Sequence, residues 1–204
     1  MKALSLVVSA RARGNCRDFS EYILDNFSKH GIQTEQINFY DYKILPCQHC
    51  NYECLQKHDP NKKINSPCPV EDDVYEILKK TWEAQILLLF IPNYGGLPPA
   101  LWVAFSQRQQ AFFKQEPIEK LKKYVVSAVV LAAPHWSTGS QWTVSIMSDE
   151  VKNLNRRVAG FEVINNAGYE TDNLFGSLIR EDEVKKRLDF ICARTIKAAN
   201  EISD

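Results

Sequence analysis

The sequence predicts an α/β fold, a three-layer, doubly wound parallel sheet of five strands in the order 2-1-3-4-5 with helices on both faces. Three observations predict it. Apolar runs alternate with amphipathic stretches along the chain. The runs at 85–91 and 124–133 are continuously apolar, as strands buried on both faces must be. The length of 204 residues suits a single domain, residues 1–204, on a scale of roughly 100–200 residues per domain.

The elements follow in order. Residues 3–8 form a short apolar run that reads as a buried first strand. Two arginines, Arg11 and Arg13, follow it at once, which argues against a secretory leader and for a cytoplasmic protein. Phe19, Ile23, Leu24 and Phe27 recur at helical spacing, and Gly31 marks that helix's end. Residues 32–39 alternate apolar and polar, as an edge strand does. Val74, Ile77, Leu78 and Trp82 place a second helix ahead of the 85–91 strand. A third helix spans 97–113, with Pro98 and Pro99 in its first turn. After the 124–133 strand come a helix over 141–154, a weaker strand over 161–165 and a long charged helix over 181–202.

Composition narrows the function. Twenty-five Lys and Arg balance 25 Asp and Glu, so no net field draws nucleic acid nonspecifically. The apolar runs are too short to span a bilayer as a helix. A reducing compartment makes the six cysteines thiols or ligands rather than disulfides. Cys192 reads as a core residue of the last helix.

In a 2-1-3-4-5 sheet the ligand sits beyond the carboxyl ends of strands one and three, where the winding direction reverses. The first of these loops reads Ser9-Ala10-Arg11-Ala12-Arg13-Gly14-Asn15-Cys16. It offers hydroxyl, amide and guanidinium donors ahead of a helix N-terminus, which are the parts of a phosphate site. Neither a Walker A sequence nor a dinucleotide glycine motif is present. A solvated basic turn is the simpler alternative. Cys16 at a helix start also has two readings, a reactive low-pKa thiol or a packed small side chain.

The loop resembles the Gly-Ser-Pro-Arg-x-x-(Gly/Ser)-Asn-(Ser/Thr) signature of the NADPH-dependent FMN reductase family, whose fold is flavodoxin-like. Val8, Ala10 and Cys16 stand where that signature has Gly, Pro and a hydroxyl residue. The resemblance implies that Ser9, Arg11, Asn15 and Cys16 contact the FMN phosphate. Cys16 would do so through its backbone amide, since a thiol donates weakly. The loop after strand three, Pro92-Asn93-Tyr94-Gly95-Gly96-Leu97-Pro98-Pro99, resembles the family's Ser-Pro-x-Tyr segment. By that resemblance Pro92, Asn93, Tyr94 and Gly95 meet the isoalloxazine ring. After strand four, His135 and Trp136 replace most of a glycine-rich turn. Trp136 offers a stacking surface, and His135 is either a flavin contact or an ordinary loop histidine.

Residues 41–70 form a Cys-rich insert with four prolines and little periodicity. Its spacing is Cys47-x2-Cys50-x3-Cys54, then thirteen residues, then Cys68. The group resembles the motif of the iron–sulfur flavoproteins within the same family, which holds a four-iron four-sulfur cluster on four thiolates. Three readings stay open: a cluster on Cys47, Cys50, Cys54 and Cys68, a zinc site on the same residues with His49 or His58, and a metal-free loop.

The resemblance implies an FMN-binding, NAD(P)H-dependent oxidoreductase that passes electrons to a quinone or other small acceptor. No acid or base side chain is required, so no catalytic residue is expected. The alternative is an electron carrier, or a thiol redox sensor built on the Cys-rich loop. A homo-oligomer, dimer or tetramer, is also expected: the resemblance implies a flavin site near a subunit interface, and Trp102, Phe105, Phe112 and Phe113 load the third helix with aromatics, which read equally well as core.

Overall fold

The computed structural model describes residues 1–48, 50, 53–56, 68–113, 123–132, 140–151, 156–165, 169 and 176–203. Five parallel strands form one sheet in the order β2-β1-β3-β4-β5. They are β1 (Lys2–Val7), β2 (Gln33–Asn38), β3 (Ile86–Pro92), β4 (Tyr124–Ala132) and β5 (Arg156–Asn165). The helices are α1 (Asn15–Lys29), a single turn α2 (Glu53–Gln56), α3 (Val74–Glu83), α4 (Ala100–Phe113), α5 (Ser140–Val151) and α6 (Asp182–Ser203).

The alternation of side chains along each strand splits the core into two layers. Leu4, Leu6, Leu87, Leu89, Val126 and Val130 pack under α3, α4 and α5. Ala3, Val7, Ile86, Leu88, Phe90 and Val129 pack under α1 and α6. Two buried hydroxyl pairs tie the second layer to the sheet: Ser5 to Ser20 of α1, and Ser127 to Thr195 of α6, each at 2.6 Å. Each pair supplies a partner to hydroxyls that would otherwise be desolvated alone. Cys192 is buried in this layer, as its place in the last helix suggests.

Several boundaries differ from the sequence reading. The third helix begins at Ala100 rather than at Leu97. Tyr94 and Leu97 instead close a tight turn through paired backbone bonds of 2.9 and 3.2 Å. Gly95 and Gly96 make that turn possible with φ of 60° and 89°, values that a side chain disfavours. Strand β5 starts at Arg156, five residues before the apolar stretch that announced it, and its first half exposes Arg157 and Val158. Phe105 is buried against Phe39 and Trp102 against Phe105, so these two aromatics belong to the core and not to an outer face. Among the described residues no helix is long and apolar enough to cross a membrane.

Candidate flavin site and the cysteine cavity

The carboxyl ends of β1 and β3 lie side by side. Val8 donates to the Phe90 carbonyl at 2.9 Å, and Asn93 donates to the Leu131 carbonyl of β4 at 2.8 Å. The two loops that leave these strands therefore meet. The Ser9 hydroxyl lies 3.4 Å from the Tyr94 hydroxyl, and its oxygen accepts the Arg11 amide at 3.1 Å. Ser9 is nearly buried, whereas Arg11 is half-buried and Arg13 exposed.

The helix start is shaped by Gly14. Its φ of 148° with an extended ψ is open to glycine and strained for other residues. The Gly14 carbonyl accepts the amides of Arg17 and Asp18, at 2.9 and 3.1 Å. The amides of Asn15 and Cys16 precede that ladder and lie at the positive end of the helix dipole. Asn38, at the end of β2, donates to the Ala12 carbonyl at 3.4 Å and braces the loop from the sheet edge.

Not every predicted contact keeps its side chain for a ligand. The Asn15 oxygen accepts the backbone amides of Ser177 and Leu178, at 3.0 and 3.2 Å. The Cys16 side chain is buried beside Phe19, and burial pushes its thiol up to about 12, against a smaller downward pull from Arg11. That environment contradicts a reactive thiol and leaves the packed reading. What these two residues present to the loop is their backbone.

On the β3 side, Pro92 ends the strand and is buried, as is Asn93. The Thr143 hydroxyl of α5 lies 2.6 Å from the Asn93 side-chain oxygen and 3.0 Å from the Gly96 carbonyl. Among the described residues Asn93 Nδ2 is buried with no hydrogen-bond partner as the amide is oriented, and the amide turned over would place it on the Thr143 hydroxyl oxygen. Tyr94 is 37% exposed, enough to present its ring as a wall. Thr143, Asn38 and the 176–178 turn escaped the sequence reading. They act through neighbours that only the fold brings close. His135 and Trp136 lie outside the described residues.

The residues present fit FMN. The loop at 9–14 with the α1 amides offers a phosphate cradle, and the glycine turn at 95–96 lets backbone approach a flat ring.

The insert is pinned at its two ends. Asp72 accepts the Leu45 amide at 2.9 Å, and Asp73 accepts the Lys43 amide at 2.7 Å. Arg108 of α4 closes the clamp with bonds of 3.0 Å to each Asp72 oxygen and 3.2 Å to the Leu45 carbonyl. Between these ends Cys47, Cys50, Cys54 and Cys68 line one small cavity with Gln107, Arg108 and Ala111 of α4. Burial raises the Cys54 thiol, and the other three cysteines raise it further. Among the described residues, no three Cys, His, Asp or Glu side chains are arranged around a single ion. A mononuclear zinc site needs sulfurs within about 2.3 Å of one centre. Four thiols around one cavity are the donor set that a four-iron cluster takes, and the cavity, about 10 Å³, would have to widen to admit one. His49 and His58 lie outside the described residues.

This geometry defines a flavodoxin-like α/β protein. The sequence profile of the NADPH-dependent FMN reductase family matches residues 1–161, and the chain belongs to that family. It is 36% identical over 96 residues to an iron–sulfur flavoprotein of Methanocaldococcus jannaschii, covering 47% of this chain and 45% of that protein. An iron–sulfur flavoprotein of Archaeoglobus fulgidus is 31% identical over 96 residues, covering 47% and 42%. Each match thus spans less than half of the relative's length. Among solved structures, RosB superposes with a TM-score of 0.73 at 18% identity, over 100% of this chain and 80% of that one. An NAD(P)H:quinone oxidoreductase from Methanothermobacter marburgensis gives 0.63 at 12% identity, over 100% and 98%. At such identities the likeness is one of fold.

Proposed function

We propose that the protein is an FMN-dependent oxidoreductase that takes electrons from NAD(P)H and passes them to a quinone or other small acceptor. The observation that carries this is the meeting of the two switch-point loops, with Ser9 against Tyr94. Bound FMN supplies the hydride-accepting ring. The chain's residues do the rest. Ser9, Arg11 and the first amides of α1 hold the phosphate. Asn93 and the backbone of Pro92 and Gly95 hold the ring's polar edge, and Tyr94 walls its face.

We propose further that Cys47, Cys50, Cys54 and Cys68 hold a four-iron four-sulfur cluster. Their shared cavity and the iron–sulfur flavoproteins among the relatives support this. The protein is proposed to work in the cytoplasm as a dimer or tetramer. The exposed apolar residues Leu97, Val103 and Trp142, on the flavin-side loop and on α4 and α5, support an oligomer. Sedimentation that shows a concentration-independent monomer would remove the oligomer.

An anaerobic absorption spectrum with iron and sulfide analysis tests the cofactors, and NAD(P)H oxidation tests the activity. Flavin bands with stoichiometric iron and sulfide support both proposals. Flavin without iron retains the reductase and removes the cluster. A spectrum without visible bands that FMN does not change removes both.

A further inference from the structure

Tyr94 belongs to the loop after β3, yet its hydroxyl lies at the loop after β1, 3.4 Å from the Ser9 hydroxyl. Its backbone is pinned where it stands. The Tyr94 amide donates to the Leu97 carbonyl at 2.9 Å, and Thr143 of α5 bonds Asn93 before it and the Gly96 carbonyl after it. The side chain therefore spans from one loop to the other, and its 37% exposure leaves it within reach of a ligand. Ser9 Oγ already accepts the Arg11 amide at 3.1 Å. Each hydroxyl has a single proton to give. One of the two protons at most is spent between Ser9 and Tyr94, and the other has no acceptor among the described residues. The contact is also long for two oxygens, which usually sit about 2.7–2.8 Å apart, so little is lost when both hydroxyls turn to a stronger acceptor. An anion with several oxygens is such an acceptor, since hydrogen bonds to a charged group are roughly twice as strong as neutral ones. Arg11, half-buried on the same loop, adds the matching charge.

We propose that Tyr94 is a specificity residue for the phosphate end of the flavin: its hydroxyl joins Ser9 as a second donor to the phosphate monoester, and the site thereby selects FMN over riboflavin. This role rests on the FMN reading above. It extends the ring contact that the family resemblance implies for Tyr94, because one side chain reaches both loops. Riboflavin ends in a neutral hydroxyl and offers the pair no charge.

The test is fluorescence titration of FMN and of riboflavin, at one ionic strength, against the whole chain and two variants. Tyr94→Phe removes the hydroxyl and keeps the ring. It should melt with wild type in the absence of flavin and bind FMN about tenfold more weakly, the size of one hydrogen bond to a charged group. Its affinity for riboflavin should change by less than about twofold. Ser9→Ala should show the same loss, confined to FMN. Unchanged FMN affinity in Tyr94→Phe overturns the proposal, and a selective loss in Ser9→Ala alone would leave the phosphate to Ser9. An equal loss for both flavins overturns it too, since that marks a ring or packing effect. So does a Tyr94→Phe chain that no longer folds, which makes the hydroxyl a stability element. Wild-type protein that binds both flavins equally keeps the flavin site and removes the selectivity. Wild-type protein that binds neither defeats the FMN reading itself, and this proposal with it.

Discussion

The side-chain oxygen of Asn15 accepts the backbone amide of Ser177 at 3.0 Å, across 162 residues of sequence. With the Leu178 amide as its second donor, Asn15 fastens the start of α1 to the turn that leads into α6. Asn15→Ala leaves both amides without their acceptor, one of them buried. Urea unfolding should show a loss of about 1–3 kcal/mol. A variant as stable as wild type would contradict this role.

Arg11 and Ser9 are expected to behave in the opposite way. On the proposed reading, Arg11→Ala removes a charge-assisted phosphate contact worth about 1.5–3 kcal/mol, or roughly ten- to hundredfold in FMN affinity. That loss should exceed any change in stability without FMN. Fluorescence titration of FMN against both variants separates the two residues, since Asn15→Ala should shift stability and Arg11→Ala affinity.

Gly14 tests the backbone of the cradle. A Cβ there meets nothing within 4 Å, so Gly14→Ala reports conformation alone. Holding alanine at φ 148° costs about 1–3 kcal/mol. The variant should melt earlier and bind FMN more weakly. Unchanged values of both would show that the loop needs no glycine.

The six cysteines should divide by reactivity. Burial pushes Cys192 up to about 11, with Asp189 adding to the shift, and Cys16 up to about 12. At about pH 8 an alkylating reagent should spare both in the folded protein and, once iron is stripped, label Cys47, the exposed one, first, as peptide mass spectrometry would record. The raised values also fix the sign of an alkaline effect. The folded state keeps these protons longer than the unfolded chain, so their stabilisation is full below the ordinary thiol value of 9.0 and is lost as the pH climbs toward 12. Cys16→Ser should flatten the alkaline limb of stability against pH.

Asp72 carries the clamp of the insert. Asp72→Ala strands a buried guanidinium and should cost about 3–5 kcal/mol. Asp72→Asn leaves the same charge unpaired and keeps one hydrogen-bonding oxygen, so its loss should be similar or somewhat smaller. A loss under about 1 kcal/mol for Asp72→Ala in thermal unfolding would contradict the pairing.

Much of this was legible in the sequence because burial writes itself as pattern. Continuous apolar runs gave β3 and β4, and the helical spacing of Phe19, Ile23, Leu24 and Phe27 gave α1. The sheet order then pointed to Ser9 and Tyr94 before their contact was visible. What escaped was set by tertiary neighbours. Nothing local says that Asn15 turns to Ser177, that Thr143 meets Asn93, or that Arg108 closes on Asp72 across the insert. The early start of β5 was hidden because Arg156, Arg157 and Val158 sit at a half-exposed edge, where polar residues mask a strand. The tight turn at Gly95–Gly96 displaced the helix start because paired backbone bonds held Leu97 out of α4.

The central claim is that the loops after β1 and β3 form one FMN site that NAD(P)H can reduce. The most direct measurement is titration of the protein with FMN, followed by anaerobic addition of NADPH and NADH while the yellow absorbance is recorded. The account predicts saturable binding of one FMN per chain, weakened in Arg11→Ala, and bleaching of the bound flavin by a nicotinamide. A chain that binds no FMN, or binds it as tightly without Arg11 and Ser9, would contradict it.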